Sequence, residues 1–156
     1  MAKELEEGDP APDFTLPTDG GGEARLAELQ GKPVVLYFYP KDDTSGCTAE
    51  AIAFSGLKPE FDDAGAAVIG VSPDSAASHD KFKTKHQLSV ALGADPGRTA
   101  IEAYGVWKEK SMYGRKYFGV ERSTFLIGRD GRIARIWRKV KVPKHAEAVL
   151  AAVKAL

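Results

Sequence analysis

One side chain in this sequence is a ready nucleophile: Cys47, the only cysteine among 156 residues. It follows the apolar run of residues 34–39 by a polar turn, Lys41-Asp42-Asp43-Thr44-Ser45-Gly46, and stands where the next helix should open. Free backbone N–H groups at a helix N-terminus stabilise an anion, and the thiolate rather than the thiol is the attacking form of sulfur. Thr44 and Ser45 are candidate N-cap hydroxyls for that helix. A free cysteine also serves as a small buried hydrophobe, and the residues alone leave both readings open. A Cys–His hydrolase would need an imidazole beside the sulfur. His79, His86 and His145 carry no motif linking them to Cys47, and all three are expected to be solvated. His79 and His86, seven apart, share a helix face, but two histidines without a carboxylate partner do not make a metal site. Gly128-Arg129-Asp130-Gly131 is a hairpin turn rather than a phosphate loop.

The elements that must position Cys47 follow from pattern. Residues 34–39, Val-Val-Leu-Tyr-Phe-Tyr, form an unbroken β-prone run between Pro33 and Pro40, as a strand covered on both faces requires. Residues 47–64 place Ala51, Phe54, Leu57 and Phe61 at helical spacing, with Pro59 as a kink and Gly65 as the stop. Residues 66–72 form a second buried strand, 75–86 a polar helix, 89–92 a short strand and 98–104 a short helix. Strands at 123–127 and 133–137 flank Asp130-Gly131, a strong hairpin signal. A closing helix spans 143–155, with Pro143 in its first turn. Upstream, Pro10, Pro12 and Pro17 keep an N-terminal extension extended. Gly20-Gly21-Gly22 makes a turn, and residues 25–29 form a helical turn stopped by Gly31. The order predicts one α/β domain over 1–156, a mixed sheet with helices on both faces. Its reactive group belongs after the first central strand, at residues 40–47.

Composition narrows the class. Hydrophobic residues at 43% and charged residues at 28% are ordinary for a globular domain. A lone cysteine excludes an internal disulfide framework and a multi-thiolate zinc site. No apolar run of about 18 residues exists, so no transmembrane helix and no membrane partner is expected. The polar start, Met1 to Glu7, is unlike a signal peptide, so a soluble cytoplasmic protein is expected. Zero net charge argues against nucleic-acid binding but hides an asymmetry: residues 1–65 sum to −9 and 66–156 to +9. The basic stretch 129–144 is either a charged edge that resists strand pairing or a docking surface for an acidic partner, and the edge is favoured.

Tyr39-Pro40-Lys41-Asp42-Asp43-Thr44-Ser45-Gly46-Cys47-Thr48-Ala49-Glu50 resembles the peroxiredoxin active-site loop, Pro-x-x-x-Thr-x-x-Cys, with Pro40, Thr44 and Cys47 at that spacing. Phe38 to Asp42, with Cys47-Thr48 and Glu50, is similar to the bacterioferritin-comigratory (Q-type) subfamily. Tyr104-Gly105-Val106-Trp107 with Glu109-Lys110, then Gly119 to Ile127, resembles the subfamily segment carrying an active-site arginine, which maps onto Arg122. The resemblance runs from about Gly8 to the final helix. It implies a thioredoxin-like fold and a thiol-dependent peroxidase for hydrogen peroxide and organic hydroperoxides, working through a Cys47 sulfenic acid without metal or organic cofactor. Arg122 would hold the thiolate and a peroxide oxygen, Thr44 would hydrogen-bond the substrate, and Pro40 would shape and shield the loop. Backbone N–H groups near Gly46 and Cys47 would bind the peroxide. Glu50 is expected to be structural, since a carboxylate opposes a neighbouring thiolate.

Where Q-type relatives carry a resolving cysteine, the corresponding positions here are taken as Ile52 and Ile101, by nature or by replacement, and neither can attack a sulfenic acid. An external thiol (a small thiol, a glutaredoxin or a thioredoxin) is therefore expected to resolve Cys47. Ser45 stands where many relatives have proline. Q-type relatives also make a monomer the expected state. The alternative is a peroxide-sensing or thiol-exchange module on the same fold.

Overall fold

The computed structural model describes residues 4–156, so the first three residues of the polar N-terminal run lie outside it. A five-stranded mixed sheet is built from β3 (Val34–Phe38), β4 (Ala67–Ser72), β5 (Ala91–Ala94), β8 (Ser123–Ile127) and β9 (Ile133–Trp137), in the order β5-β4-β3-β8-β9. β3 is parallel to β4 and antiparallel to β8. All five residues of β3 are buried, as its unbroken apolar run requires. Its odd residues, Val35 and Tyr37, join the core under helices α1 (Ser45–Gly56), α2 (Lys58–Asp63) and α5 (His145–Lys154). Its even residues, Val34, Leu36 and Phe38, join a second core with α4 (Thr99–Ala103), Phe14 and Leu16. Helix α3 (Ala76–His86) packs beside β5, with Ser75 accepting from the Ser78 N–H as a true N-cap. A small hairpin, β1 (Thr15–Pro17) with β2 (Glu23–Arg25), carries the glycine turn, followed by a 3-10 turn at Leu26–Leu29. The expected thioredoxin-like α/β layering is present.

Three expectations change. The helix over 47–64 is two helices, because Pro59 lacks an N–H and its ring would strike the carbonyl of Ser55. That freed carbonyl accepts a hydrogen bond from the Ser89 hydroxyl at 3.2 Å. Pro143 lies outside α5: it occupies a turn in which the His145 N–H donates to the Val142 carbonyl, and Lys144 at φ 63° carries the left-handed position. Residues 107–120 form a hairpin that was not anticipated, β6 (Trp107–Met112) with β7 (Arg115–Val120), closed by Tyr113-Gly114 with both φ positive. That is the type I′ geometry, and Tyr at the first position hides it from the usual Asn-Gly or Asp-Gly signal.

The charge asymmetry finds an internal use. β9 is an edge strand, and the acidic N-terminal segment lies along it. The Gly8 N–H donates to the Ile133 carbonyl of that edge and the Ile133 N–H donates to the Asp9 carbonyl, Arg132 donates to the Gly8 carbonyl, and Arg138 donates to the Leu5 carbonyl beside Glu4. Part of the basic stretch thus meets the chain's own acidic start.

Candidate active site

Cys47 is the third residue of α1, and 1% of it is exposed. The preceding loop leaves β3, turns through Asp43 in the left-handed region, and delivers Thr44 to the N-cap position. Thr44 does not cap: its hydroxyl donates to the Lys41 carbonyl at 2.9 Å, closing the loop on itself. The first-turn N–H groups of α1 therefore have no side-chain acceptor, and no acidic residue occupies that turn. These donors and the helix dipole favour an anion at this end.

Arg122 comes to Cys47 across 75 positions of sequence because of sheet register. β3 and β8 run antiparallel with Phe38 opposite Ser123, so the residue just before β8 sits beside the loop just after β3. One guanidinium nitrogen of Arg122 lies 3.3 Å from the Cys47 sulfur, and the other donates to the Glu50 carboxylate at 2.7 Å. Cys47 and Glu50, three apart, project from one face of α1, and the planar guanidinium spans them. Gly46 is part of this fit: a Cβ there would stand 3.1 Å from the Arg122 guanidinium.

Glu50 is 1% exposed, and its second carboxylate oxygen has no partner. Burial, opposed by Arg122, pushes its carboxyl up to about 7. Arg122 remains cationic: its own burial is outweighed by Glu50 and Cys47. Lys110 on the β6–β7 hairpin also neighbours the pair. Burial and Arg122 lower it, while Cys47 and Glu121 act the other way.

Sequence reasoning missed the histidines. His79 is fully buried and His145 nearly so; only His86 is half-exposed. The Nε2 of His145 lies 2.8 Å from the Thr124 hydroxyl, with Phe54 and Trp137 edge-on to its ring. Burial and the nearby Arg122 cation drive it down to about 4, so it is neutral near pH 7. His79 meets Asp42, and His86 meets Asp43, both from the loop before Cys47. Tyr37 and its unpartnered hydroxyl are buried in the same core as Cys47, and Gly70 makes room for its ring, since a Cβ there would lie 2.5 Å away. The residues alone held no signal for these contacts, because the burial of Asp42 and of the two rings is set by the fold.

The two positions considered for a resolving thiol differ. Ile52 is 48% exposed on α1, whereas Ile101 is fully buried in the core on the other sheet face from Cys47. A thiol at 101 could not meet Cys47 in this fold, for reasons of distance across the sheet. Among the described residues no cluster of three or more His, Cys, Asp or Glu could hold a metal, and no helix is long and apolar enough to cross a membrane.

Three comparisons bear on this arrangement. The sequence profile of the AhpC/TSA family matches residues 7–136. Peroxiredoxin Bcp of Xanthomonas campestris is 49% identical over 148 residues, 94% of this chain and 92% of that protein. Peroxiredoxin Bcp of Bacillus subtilis is 47% identical over 150 residues, 96% of each. A solved structure of Xanthomonas campestris peroxiredoxin Q superposes with a TM-score of 0.87 at 48% identity, covering 91% of this chain and 90% of that one. Another solved structure of the Xanthomonas protein is described by its alkyl peroxide reduction activity. Two further structures carry different single cysteine-to-serine replacements 36 positions apart, so that relative has at least two cysteines where this chain has one; the same spacing from Cys47 reaches Lys83 on α3 rather than Ile52 or Ile101.

Proposed function

This chain belongs to the AhpC/TSA family, as a thiol-dependent peroxidase of the Bcp (Q-type) peroxiredoxins, and from that premise we propose that Cys47 carries its reaction with Arg122, Thr44, Gly46 and Pro40. The Cys47 thiolate attacks the near oxygen of a hydroperoxide in line with the O–O bond. An S–O bond forms, the O–O bond breaks, and sulfur is oxidised by two electrons. The attacked oxygen keeps its hydrogen as the sulfenic hydroxyl, and the leaving alkoxide or hydroxide takes one proton from solvent.

The observation that carries this reading is the Arg122 guanidinium 3.3 Å from the sulfur and anchored by Glu50. It holds the thiolate and faces the oxygen on which charge grows. The open N–H groups of the first turn around Gly46 and Cys47 add fixed donors. The Thr44 hydroxyl reaches the substrate by turning from the Lys41 carbonyl. Pro40 contributes no donor and shapes the loop.

With Cys47 as the one cysteine, a second molecule's thiol resolves the sulfenic acid: it displaces water to give a mixed disulfide, and a further thiol releases Cys47. A small thiol, a glutaredoxin or a thioredoxin meets that need, and the reducing cytoplasm supplies all three. The protein works as a single-domain monomer, and over-oxidation to sulfinic acid follows when thiol is scarce.

Mass spectrometry of reduced protein after one equivalent of hydrogen peroxide and a sulfenic-acid trap tests this. One oxygen on Cys47 and no internal disulfide are expected. Unmodified protein after seconds of exposure overturns the assignment.

A further inference from the structure

The loop that delivers Cys47 is held from outside the reaction centre by a buried ion pair. Asp42, midway between Pro40 and Thr44, is 7% exposed, and its carboxylate collects three donors. Tyr39 donates its hydroxyl at 2.6 Å, Ser78 donates at 2.8 Å, and His79 Nδ1 lies at 2.7 Å. The other ring nitrogen of His79, Nε2, lies 3.0 Å from the carbonyl of Gly93 on β5. A carbonyl only accepts, so Nε2 carries a hydrogen. Nδ1 faces the Asp42 carboxylate, which already accepts from Tyr39 and Ser78, so Nδ1 donates too. His79 is then an imidazolium joining the loop to the sheet. His86, two turns further along α3, repeats the link outside with Asp43 at 2.8 Å, reinforced by Lys85 at 2.7 Å.

We propose that His79 is a positioning residue for peroxide reduction: bridging Asp42 to the Gly93 carbonyl, it fixes the loop 40–44 and so sets where Thr44 and the first turn of α1 stand around Cys47. The proposal rests on the assignment of Cys47 as the attacking sulfur. An unpaired buried carboxylate is costly, so loss of the imidazolium forces Asp42 and its loop toward solvent. Small displacements of reacting groups cost large factors in rate.

The state of the bridge depends on pH. Burial works against the charged ring and is outweighed by Asp42, so His79 keeps its proton above the ordinary histidine range. The groups that face it are Tyr39 and Asp42 from the loop after β3, Asp74 after β4, and the uncharged Gly93 carbonyl from β5. One turn along α3, Lys83 is engaged by Asp19 at 2.7 Å. As pH rises through the folded-state pKa of His79, one of the two ring protons is lost and one link of the bridge goes with it.

The test is the second-order rate of Cys47 oxidation by hydrogen peroxide, measured by stopped-flow tryptophan fluorescence between pH 6 and 10. Wild type should show an alkaline fall of about tenfold. His79→Gln, which retains an amide donor but does not titrate, should lose that fall and run flat. Asp42→Asn should move the fall to lower pH, because the charge that chiefly offsets the burial of His79 is then gone. His79→Phe should be about tenfold slower at pH 7 with unchanged circular dichroism. Absence of the fall in wild type, or its persistence unchanged in His79→Gln or in Asp42→Asn, overturns the positioning role. Either folded variant suffices if the other does not fold. A wild-type protein that gains no oxygen on Cys47 overturns the assignment of the site instead, so the two failures are separable.

Discussion

His79 and His145 are both buried and both hydrogen-bonded through the ring, yet one is charged and the other neutral. His79 faces a carboxylate on one side and a carbonyl on the other, so both nitrogens donate. His145 faces a hydroxyl, two aromatic edges and, further off, the Arg122 cation, so it is neutral. Burial alone would discharge either ring; the partner at the nitrogen decides which one keeps its proton. The site is therefore flanked by a charged tie on the α3 side and an uncharged, apolar support on the α5 side.

The largest break in that contrast comes from Arg122, a cation that both touches Cys47 and depresses His145. Arg122→Met should slow peroxide oxidation about 100-fold or more. It should also raise the pKa of His145 in an NMR titration. A rate within threefold of wild type would mean that the wrong arginine has been assigned. Gly46→Ala crowds the same guanidinium and should cost about tenfold without touching either histidine. Thr44→Val removes the hydroxyl that is free to turn to substrate. A loss of about tenfold in rate is expected, with the His79 and His145 titrations unmoved.

Glu50→Gln should slow the reaction only a few-fold, since the amide oxygen still accepts from Arg122. Its clearer effect is on stability. The carboxyl of Glu50 is raised to about 7 in the fold against the ordinary 4.5, so its contribution is full below about 4.5 and is lost as pH rises through 7. Thermal melts of the variant should lose that decline. His145 works in the opposite direction: lowered to about 4, it contributes fully above 6.5 and loses that contribution as pH falls toward 4. His145→Gln should flatten the acidic side of the melting profile by a few degrees, about the smallest of these effects. A wild-type profile unchanged by either substitution would remove the contrast altogether.

Much of this was legible in the residues. The apolar run at 34–39 suited a central strand, which spans 34–38, and the turn after it placed a thiol at a helix start. The Thr-x-x-Cys spacing and the Arg122 segment pointed to the same chemistry. Thr44 illustrates the limit: its type and position suggest an N-cap, but whether a hydroxyl turns to the helix or to Lys41 depends on loop conformation. The β6–β7 hairpin was hidden because Tyr113 takes a positive φ normally signalled by Asn, Asp or Gly. Ile101, plausible by position in the chain, is on the far core because α4, the helix that carries it, packs on the other face of the sheet from Cys47.

The sequence by itself determined most of the element types, the lone sulfur, and a −9 and a +9 half. These follow from local pattern and from counting. The tertiary structure decided which cation meets the sulfur, through the Phe38–Ser123 register, and which histidine is charged. It also turned two acidic loop residues into anchors on α3. Such facts depend on groups tens of residues apart coming within hydrogen-bond reach, most of them in a dry interior. There, protonation and orientation are properties of the contact rather than of either residue.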